Sequence, residues 1–263
     1  MKKLILTLAL IFMTSPAMAD DTGRTVDYAD GEAALEGYWV PPATTCVKDK
    51  PAPVVIIAHQ WMGITDHERD RAKRLSEQCY NAFALDLYGK GVRPRDSEEA
   101  GKLATIYKND PALARSRVTA ALNFVKTQPG VDSDHIAIIG FCLGGGMALE
   151  LARTGADIDA AVSFHGTLTT KDPITHSGII KAPIYVYHGV DDPFVPVADV
   201  KTFQKEMDRA KANYKISLYS GAVHSFTQKE AGNDPSKGAA YNAAADKKSW
   251  ESALNFLRES FAR

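Results

Sequence analysis

Cysteine is scarce in this chain: the 263 residues hold three, Cys46, Cys79 and Cys142, and no two form a Cys-x-x-Cys pair. The histidines show no His-x-x-x-His spacing, so neither a zinc site nor a redox dithiol has support, and no metal or cofactor is expected. Neither sign of charge dominates. With 31 Lys and Arg against 32 Asp and Glu, a net charge of -1 argues against nucleic acid as a partner. There is no internal repeat, no low-complexity block and no linker rich in Pro, Gly or Ser, which points to one domain. A hydrophobic share of 45% beside 24% charged residues excludes wholesale disorder.

What is present begins with a leader. Met1-Lys2-Lys3, an apolar run from Leu4 to Phe12, then Pro16 and Ala17-Met18-Ala19 have the basic head, short apolar core and small-residue cleavage site of a secretory signal peptide. The run is too short to span a bilayer. No cysteine lies near the cleavage site, so no lipid anchor and no membrane attachment after cleavage are expected. Loss of residues 1–19 leaves 244 residues with a net charge near -3, enough for one α/β domain with a sizeable core. The expected location is the periplasm of a Gram-negative cell, or otherwise the exterior. In such an oxidising compartment three cysteines leave one odd thiol: either Cys46 pairs with Cys79 and Cys142 stays free, or all are isolated.

Strand-like and helix-like runs then alternate. A hairpin is expected over residues 24–28 and 34–40, turned at Asp30-Gly31. Residues 54–59 are a continuous apolar run of the length of a strand buried on both faces. Further strands are expected over 83–87, 135–141, 160–164, 184–187 and 215–219. Helices are expected over 67–79 with Asp66 as cap, 111–127, from the elbow to 153, 198–211 and 241–261, and residues 89–96 read as a loop. This alternation specifies a mostly parallel sheet with helices on both faces and ligands at the carboxyl ends of its strands.

Gly140-Phe141-Cys142-Leu143-Gly144-Gly145-Gly146 is the most informative stretch, because it joins an apolar strand to a helical run. It reads as a nucleophile elbow with cysteine in place of serine: the flanking glycines permit a turn so tight that the central side chain points away from the backbone. Cys142 then sits at a helix N-terminus, where unpaired N–H groups favour a thiolate and can receive a developing oxyanion. The N–H of Leu143 is half of the expected oxyanion hole. The bland reading is a buried structural cysteine beside a glycine-rich turn. Chain order weighs against it, since Asp191-Asp192 and then His224 follow, each after an apolar run.

Gly-Phe-Cys-Leu-Gly-Gly, His188-Gly-x-x-Asp-x-Phe-Val-Pro and Gly221-Ala-x-His-Ser-Phe together resemble the dienelactone hydrolase family of α/β-hydrolases. Asp27-Tyr28-x-Asp30-Gly31, Asp86-Leu87-Tyr88-Gly89 and Ala240-Tyr241-Asn242 are similar to its secreted bacterial branch. The resemblance implies an α/β-hydrolase fold, with Cys142 as nucleophile, His224 as base and Asp192, four residues after His188, as the acid in preference to Asp191. It assigns the second oxyanion donor to the N–H of Trp61. The implied activity is cleavage of a small carboxylic ester or lactone through a thioester, without a cofactor.

Two positions depart from the family. Gln60 stands where members commonly carry a glutamate, and an amide cannot accept a proton near neutral pH. Gln228 stands where dienelactone-degrading members place an arginine for the substrate carboxylate, and Arg93 and Arg95 do not match the other binding arginine by position. Neutral or weakly polar acyl groups are therefore expected. Gln60, Tyr88, His165 and Gln228 are the candidate substrate-binding residues; Phe226 is a further candidate for the pocket wall, with core packing the stronger reading for it. His59 and His188 read as packing or backbone-shaping residues, and His67, His135 and His176 as loop or cap residues. Two rival functions stand beside hydrolysis: a non-catalytic binder of a small ligand, and a thiol-dependent redox or acyl-carrier protein.

Overall fold

The computed structural model describes residues 23–46 and 50–263, so the expected leader lies outside the described residues. Eight strands form one sheet: β1 (Arg24–Asp30), β2 (Ala33–Val40), β3 (Ala52–Ala58), β4 (Asn81–Leu85), β5 (Val131–Phe141), β6 (Ala160–Phe164), β7 (Ile184–Gly189) and β8 (Tyr214–Tyr219). Their spatial order is β1-β2-β4-β3-β5-β6-β7-β8. The β1–β2 and β2–β4 pairs are antiparallel and the others parallel. Six helices join them: α1 (Asp66–Ser76), α2 (Ser97–Asn109), α3 (Pro111–Lys126), α4 (Leu143–Arg153), α5 (Val197–Ala210) and α6 (Ala243–Phe261). This is the mostly parallel sheet with helices on both faces that the alternation specifies, and the α/β-hydrolase architecture that the resemblance implies.

Alternation of side chains along the central strands builds two cores. Val54, Ile56 and Ala58 of β3 face one layer, with Val118 of α3, Leu151 of α4 and Phe203 of α5. Val55 and Ile57 face the other, with Leu75 of α1 and Trp250 and Phe256 of α6. A strand buried on both sides has no polar face, which is why β3 reads as a continuous apolar run.

Several boundaries differ from the sequence-based expectation for local reasons. The hairpin loop is Gly31-Glu32, with Gly31 at φ 59° in the first loop position that a type II′ turn gives to glycine. Thr65 rather than Asp66 caps α1: its hydroxyl accepts from the His67 N–H, and Glu68 accepts from the Thr65 N–H at 2.8 Å. Helix α2 was not expected as an element. It buries only Ala100, Ala104 and Tyr107 of its thirteen residues, too thin an apolar stripe to stand out. Its start is set by Asp96, whose carboxylate accepts from the N–H groups of Glu98 and Glu99.

Cys46 and Cys79 form a disulfide with a Cα–Cα distance of 5.6 Å, and Cys142 is free. The bridge closes a 33-residue separation at the amino ends of β3 and β4. Chain-entropy reasoning puts its contribution at about 3–4 kcal/mol for a loop of this size, on the order of 10 °C in melting temperature. Cys46→Ala/Cys79→Ala is expected to melt lower by that amount, and the parent in reductant to follow it. Coincident melts of parent and double variant would show that the bridge is mechanically idle.

Candidate active site

The carboxyl ends of β5, β7 and β8 bring Cys142, Asp192 and His224 together. Cys142 adopts φ 53° and ψ -115°, a conformation L-residues rarely hold, and stands at the N-terminus of α4. Two glycines allow the turn. A Cβ on Gly140 would fall 1.9 Å from the carbonyl oxygen of Gly144, and one on Gly144 would fall 2.0 Å from that of Ala58. Strand, sharp turn and helix pack too closely there for any side chain.

The Cys142 sulfur lies 3.0 Å from His224 Nε2, and His224 Nδ1 lies 2.8 Å from Asp192 Oδ2. The other oxygen of Asp192 accepts from the N–H groups of Phe194, at 2.8 Å, and Val195, at 3.0 Å. Asp192 is thus buried and fully engaged as a carboxylate. Asp191 turns elsewhere and accepts from the Gly221 N–H at 2.9 Å. The loop bearing His224 is stitched to the stretch before α6: the His224 N–H donates to Gly238, Ala240 donates back to His224, and Asn242 donates to Phe226. This accounts for the Ala240-Tyr241-Asn242 signature.

Burial opposes charge on both members of the sulfur–imidazole pair, yet each stabilises the charged form of the other. Burial alone would raise the Cys142 thiol, but the His224 imidazolium, Lys108 and the Leu143 N–H together bring it below its usual value. Burial would lower His224, but the Cys142 thiolate and the Asp192 carboxylate raise it to about 10. Both shifts run in the direction of a thiolate and an imidazolium. The Trp61 N–H has no hydrogen-bond acceptor among the described residues, the Leu143 N–H at the start of α4 points to the Cys142 sulfur, and both residues line the cavity beside that sulfur.

A cavity of about 390 Å³ opens over this pair. Its wall is largely apolar, from Trp61, Ala104, Leu143, Phe194 and Val195, with Lys108 of α2 as its one cation beyond His224. The sequence reading missed Lys108 because it missed the helix that carries it. Asp96 capping the Glu98-Glu99 run was the available signal.

None of the four candidate substrate-binding residues is in that wall. Gln60 accepts from the Met62 N–H at 2.8 Å, and its own N–H donates to the buried Glu68 at 3.3 Å, so it shapes the Trp61 loop. Tyr88 donates to the Trp61 carbonyl at 2.7 Å from behind. His165 is fully buried beneath the elbow, and Gln228 is buried with its amide nitrogen unpaired. Arg93 bonds to Glu36 at 3.3 Å, and Arg95 pairs with Glu99.

The remaining histidines lie outside the cavity wall. His59 donates from Nδ1 to the Gln60 carbonyl at 2.6 Å and accepts the Leu87 N–H at Nε2, joining two loop edges; burial lowers it to about 4. His67 is buried rather than in a loop, edge-on to Phe141 at 4.6 Å. His188 is buried at the end of β7. His135 lies within β5, and His176 bonds only to Thr175. No helix among the described residues is long and apolar enough to cross a membrane, and they hold no cluster of three metal-ligating side chains.

An eight-stranded, mostly parallel sheet whose elbow residue meets an imidazole and a carboxylate at its carboxyl edge defines an α/β-hydrolase. The profile of the dienelactone hydrolase family matches residues 36–261, and the chain belongs to that family. It is accordingly a hydrolase of the ester or lactone class. The chain is 37% identical to a crystal structure described as a dienelactone hydrolase-like promiscuous phosphotriesterase, P91, from metagenomic libraries, with a TM-score of 0.84 over 91% of this chain and 98% of that one. It is 34% identical to a second solved structure, m3DLH, with a TM-score of 0.85 over the same shares of the two chains. An Escherichia coli K12 protein named "Putative carboxymethylenebutenolidase" is 30% identical over 222 residues, 80% of this chain and 78% of the relative.

Proposed function

We propose that this protein hydrolyses small carboxylic esters or lactones with Cys142 as nucleophile, His224 as general acid and base, and Asp192 as the group that orients the imidazole. The observation that carries the reading is the unbroken contact chain from sulfur to imidazole to carboxylate, 3.0 Å and 2.8 Å, opening on an apolar cavity. The Cys142 thiolate attacks the carbonyl carbon, and the tetrahedral oxyanion is held by the N–H groups of Leu143 and Trp61. The carbon–oxygen bond then breaks, and His224 gives its proton to the departing alkoxide. Water, deprotonated by His224, attacks the thioester and releases the acid and the thiolate. In a lactone both halves leave as one hydroxy acid.

Gln60 supplies no proton acceptor, so the thiolate depends on His224, on Lys108 and on the N-terminus of α4. The redox reading loses its partner, because Cys46 and Cys79 are bonded to each other at the opposite edge of the sheet from Cys142. The disulfide and the leader-like residues 1–19 support export to the periplasm or the exterior. A panel of p-nitrophenyl esters and small lactones, with mass spectrometry for an acyl group on Cys142, tests the activity. Stoichiometric labelling without continued turnover would instead leave a ligand binder.

Lys108 alters the expected selectivity. With Gln228 outside the cavity wall and a lone ammonium in it, an ester bearing a carboxylate gains attraction that a neutral one does not. Because Lys108 is exposed, the effect is that of a solvated ion pair, about 0.2–1 kcal/mol. Lys108→Gln is expected to raise KM for a carboxylate-bearing ester about two- to fivefold, with less change for its methyl ester and the difference shrinking in high salt. Equal effects on both esters would remove Lys108 from substrate selection.

A further inference from the structure

The Cys142 N–H is shared between two acceptors, the Phe164 carbonyl at 3.0 Å and the Nδ1 of His165 at 3.2 Å. Because Nδ1 accepts, the ring proton of His165 is on Nε2, which donates to the Thr227 hydroxyl at 2.8 Å. Thr227 follows His224 closely on the same loop and is itself anchored. Its carbonyl accepts from Arg71 at 3.1 Å, and Arg71 pairs with Asp246 of α6 at 2.6 Å. One fully buried imidazole therefore bridges the backbone of the elbow and the loop that carries the imidazole of the reactive pair.

The position is costly, so it calls for a reason. His165 has φ 39°, its N–H is tied to the Tyr187 carbonyl at 2.8 Å, and its ring stands edge-on to His224 at 5.4 Å and to Phe226 at 5.0 Å. A buried polar ring in a left-handed backbone conformation is retained only where its surroundings hold it there. We propose that His165 is a positioning residue that sets the distance between Cys142 and His224 by bonding the elbow N–H on one side and the His224 loop on the other. The proposal rests on the thiol and imidazole reading above. The bridge requires a neutral ring, since a proton on Nδ1 would destroy the acceptor and add a cation beside the imidazolium. Burial, with His224, His67 and Arg71 nearby, holds His165 well below the ordinary histidine value, the direction that favours the neutral ring.

The test reads the thiolate as well as the rate. His165→Phe fills the volume but bonds to neither loop, His165→Asn retains an acceptor for the Cys142 N–H and tolerates positive φ, and Thr227→Val removes only the far anchor. For each, the pH dependence of Cys142 alkylation by iodoacetamide, kcat/KM for p-nitrophenyl acetate and the melting curve are measured. In His165→Phe the alkylation midpoint is expected to rise by about one pH unit and kcat/KM to fall about 10- to 100-fold, the scale of a misplacement near 1 Å. His165→Asn is expected to recover most of both, and Thr227→Val to shift the midpoint the same way by less. A folded His165→Phe with parental midpoint and kcat/KM overturns the proposal; if that variant fails to fold, an unmoved midpoint in Thr227→Val does so. Turnover retained by Cys142→Ala would instead sink the underlying reading of the reactive pair, a distinguishable result.

Discussion

Cys142→Ala is expected to lower ester turnover by about 10⁴-fold or more and to abolish covalent acylation, with a melting temperature close to that of the parent. The loss is large because the sulfur is the only nucleophile at the elbow and the acyl intermediate has nowhere else to form. Stability is spared because alanine inherits the same backbone strain at φ 53° and loses only one partly buried sulfur. A second signature accompanies the first. The thiolate is a leading cause of the raised His224 value, so its removal drops His224 from about 10 toward the ordinary histidine range, visible by NMR. Near-parental turnover by the folded variant would refute Cys142 as nucleophile. An unmoved His224 titration would refute the ion pair.

The second large effect lies on the imidazole side. His224→Ala is expected to lower kcat by about 10²- to 10⁴-fold, and the remaining thiol to titrate higher, because the imidazolium that favours the thiolate is gone. The pH sense follows from the two shifts. As pH falls through the lowered Cys142 value the thiolate is protonated and activity declines; as pH rises through about 10 the imidazolium loses the proton needed by the leaving group. His224→Ala removes the alkaline limb and moves the acid limb upward.

Asp192→Asn provides a sharper version of the same test. The asparagine oxygen can keep the Phe194 and Val195 N–H groups, which leaves its NH₂ facing His224 Nδ1. That selects the wrong tautomer, with the proton on Nε2 against the sulfur, and the expected loss is about 10³- to 10⁴-fold. Asp191→Asn disturbs one exposed bond to Gly221 and is expected to stay within about threefold. A larger loss at Asp191 than at Asp192, measured on folded proteins, would reverse the choice of acid.

Much of this was legible without coordinates, for reasons that differ by residue. Cys142 is marked by its glycines because strand, turn and helix must meet within atomic contact there, a constraint that acts on neighbours in sequence. β3 and the carboxyl half of β5, from Ile136, are marked by apolar runs because both sheet faces are covered there. Asp192 and His224 carry weaker local marks, and it was their order after the elbow that gave them meaning.

What the sequence by itself determined is therefore the class of fold, the order of the strands and the placing of Cys142, Asp192 and His224 at strand ends, since each follows from local geometry or from periodicity. Only the tertiary structure decided which side chains face the cavity. Gln60, Tyr88, His165 and Gln228 were read as substrate contacts, yet none is in the cavity wall: the first three bond to neighbouring loop backbone and Gln228 is buried with its amide nitrogen unpaired, while Lys108, on a helix with too thin an apolar stripe to be noticed, stands in the wall. It also decided the Cys46–Cys79 pairing and the link from His165 to Thr227, 62 residues away. Direction and long-range contact depend on how the sheet twists and how its loops close over the carboxyl edge, and no nearest-neighbour pattern along the chain records that.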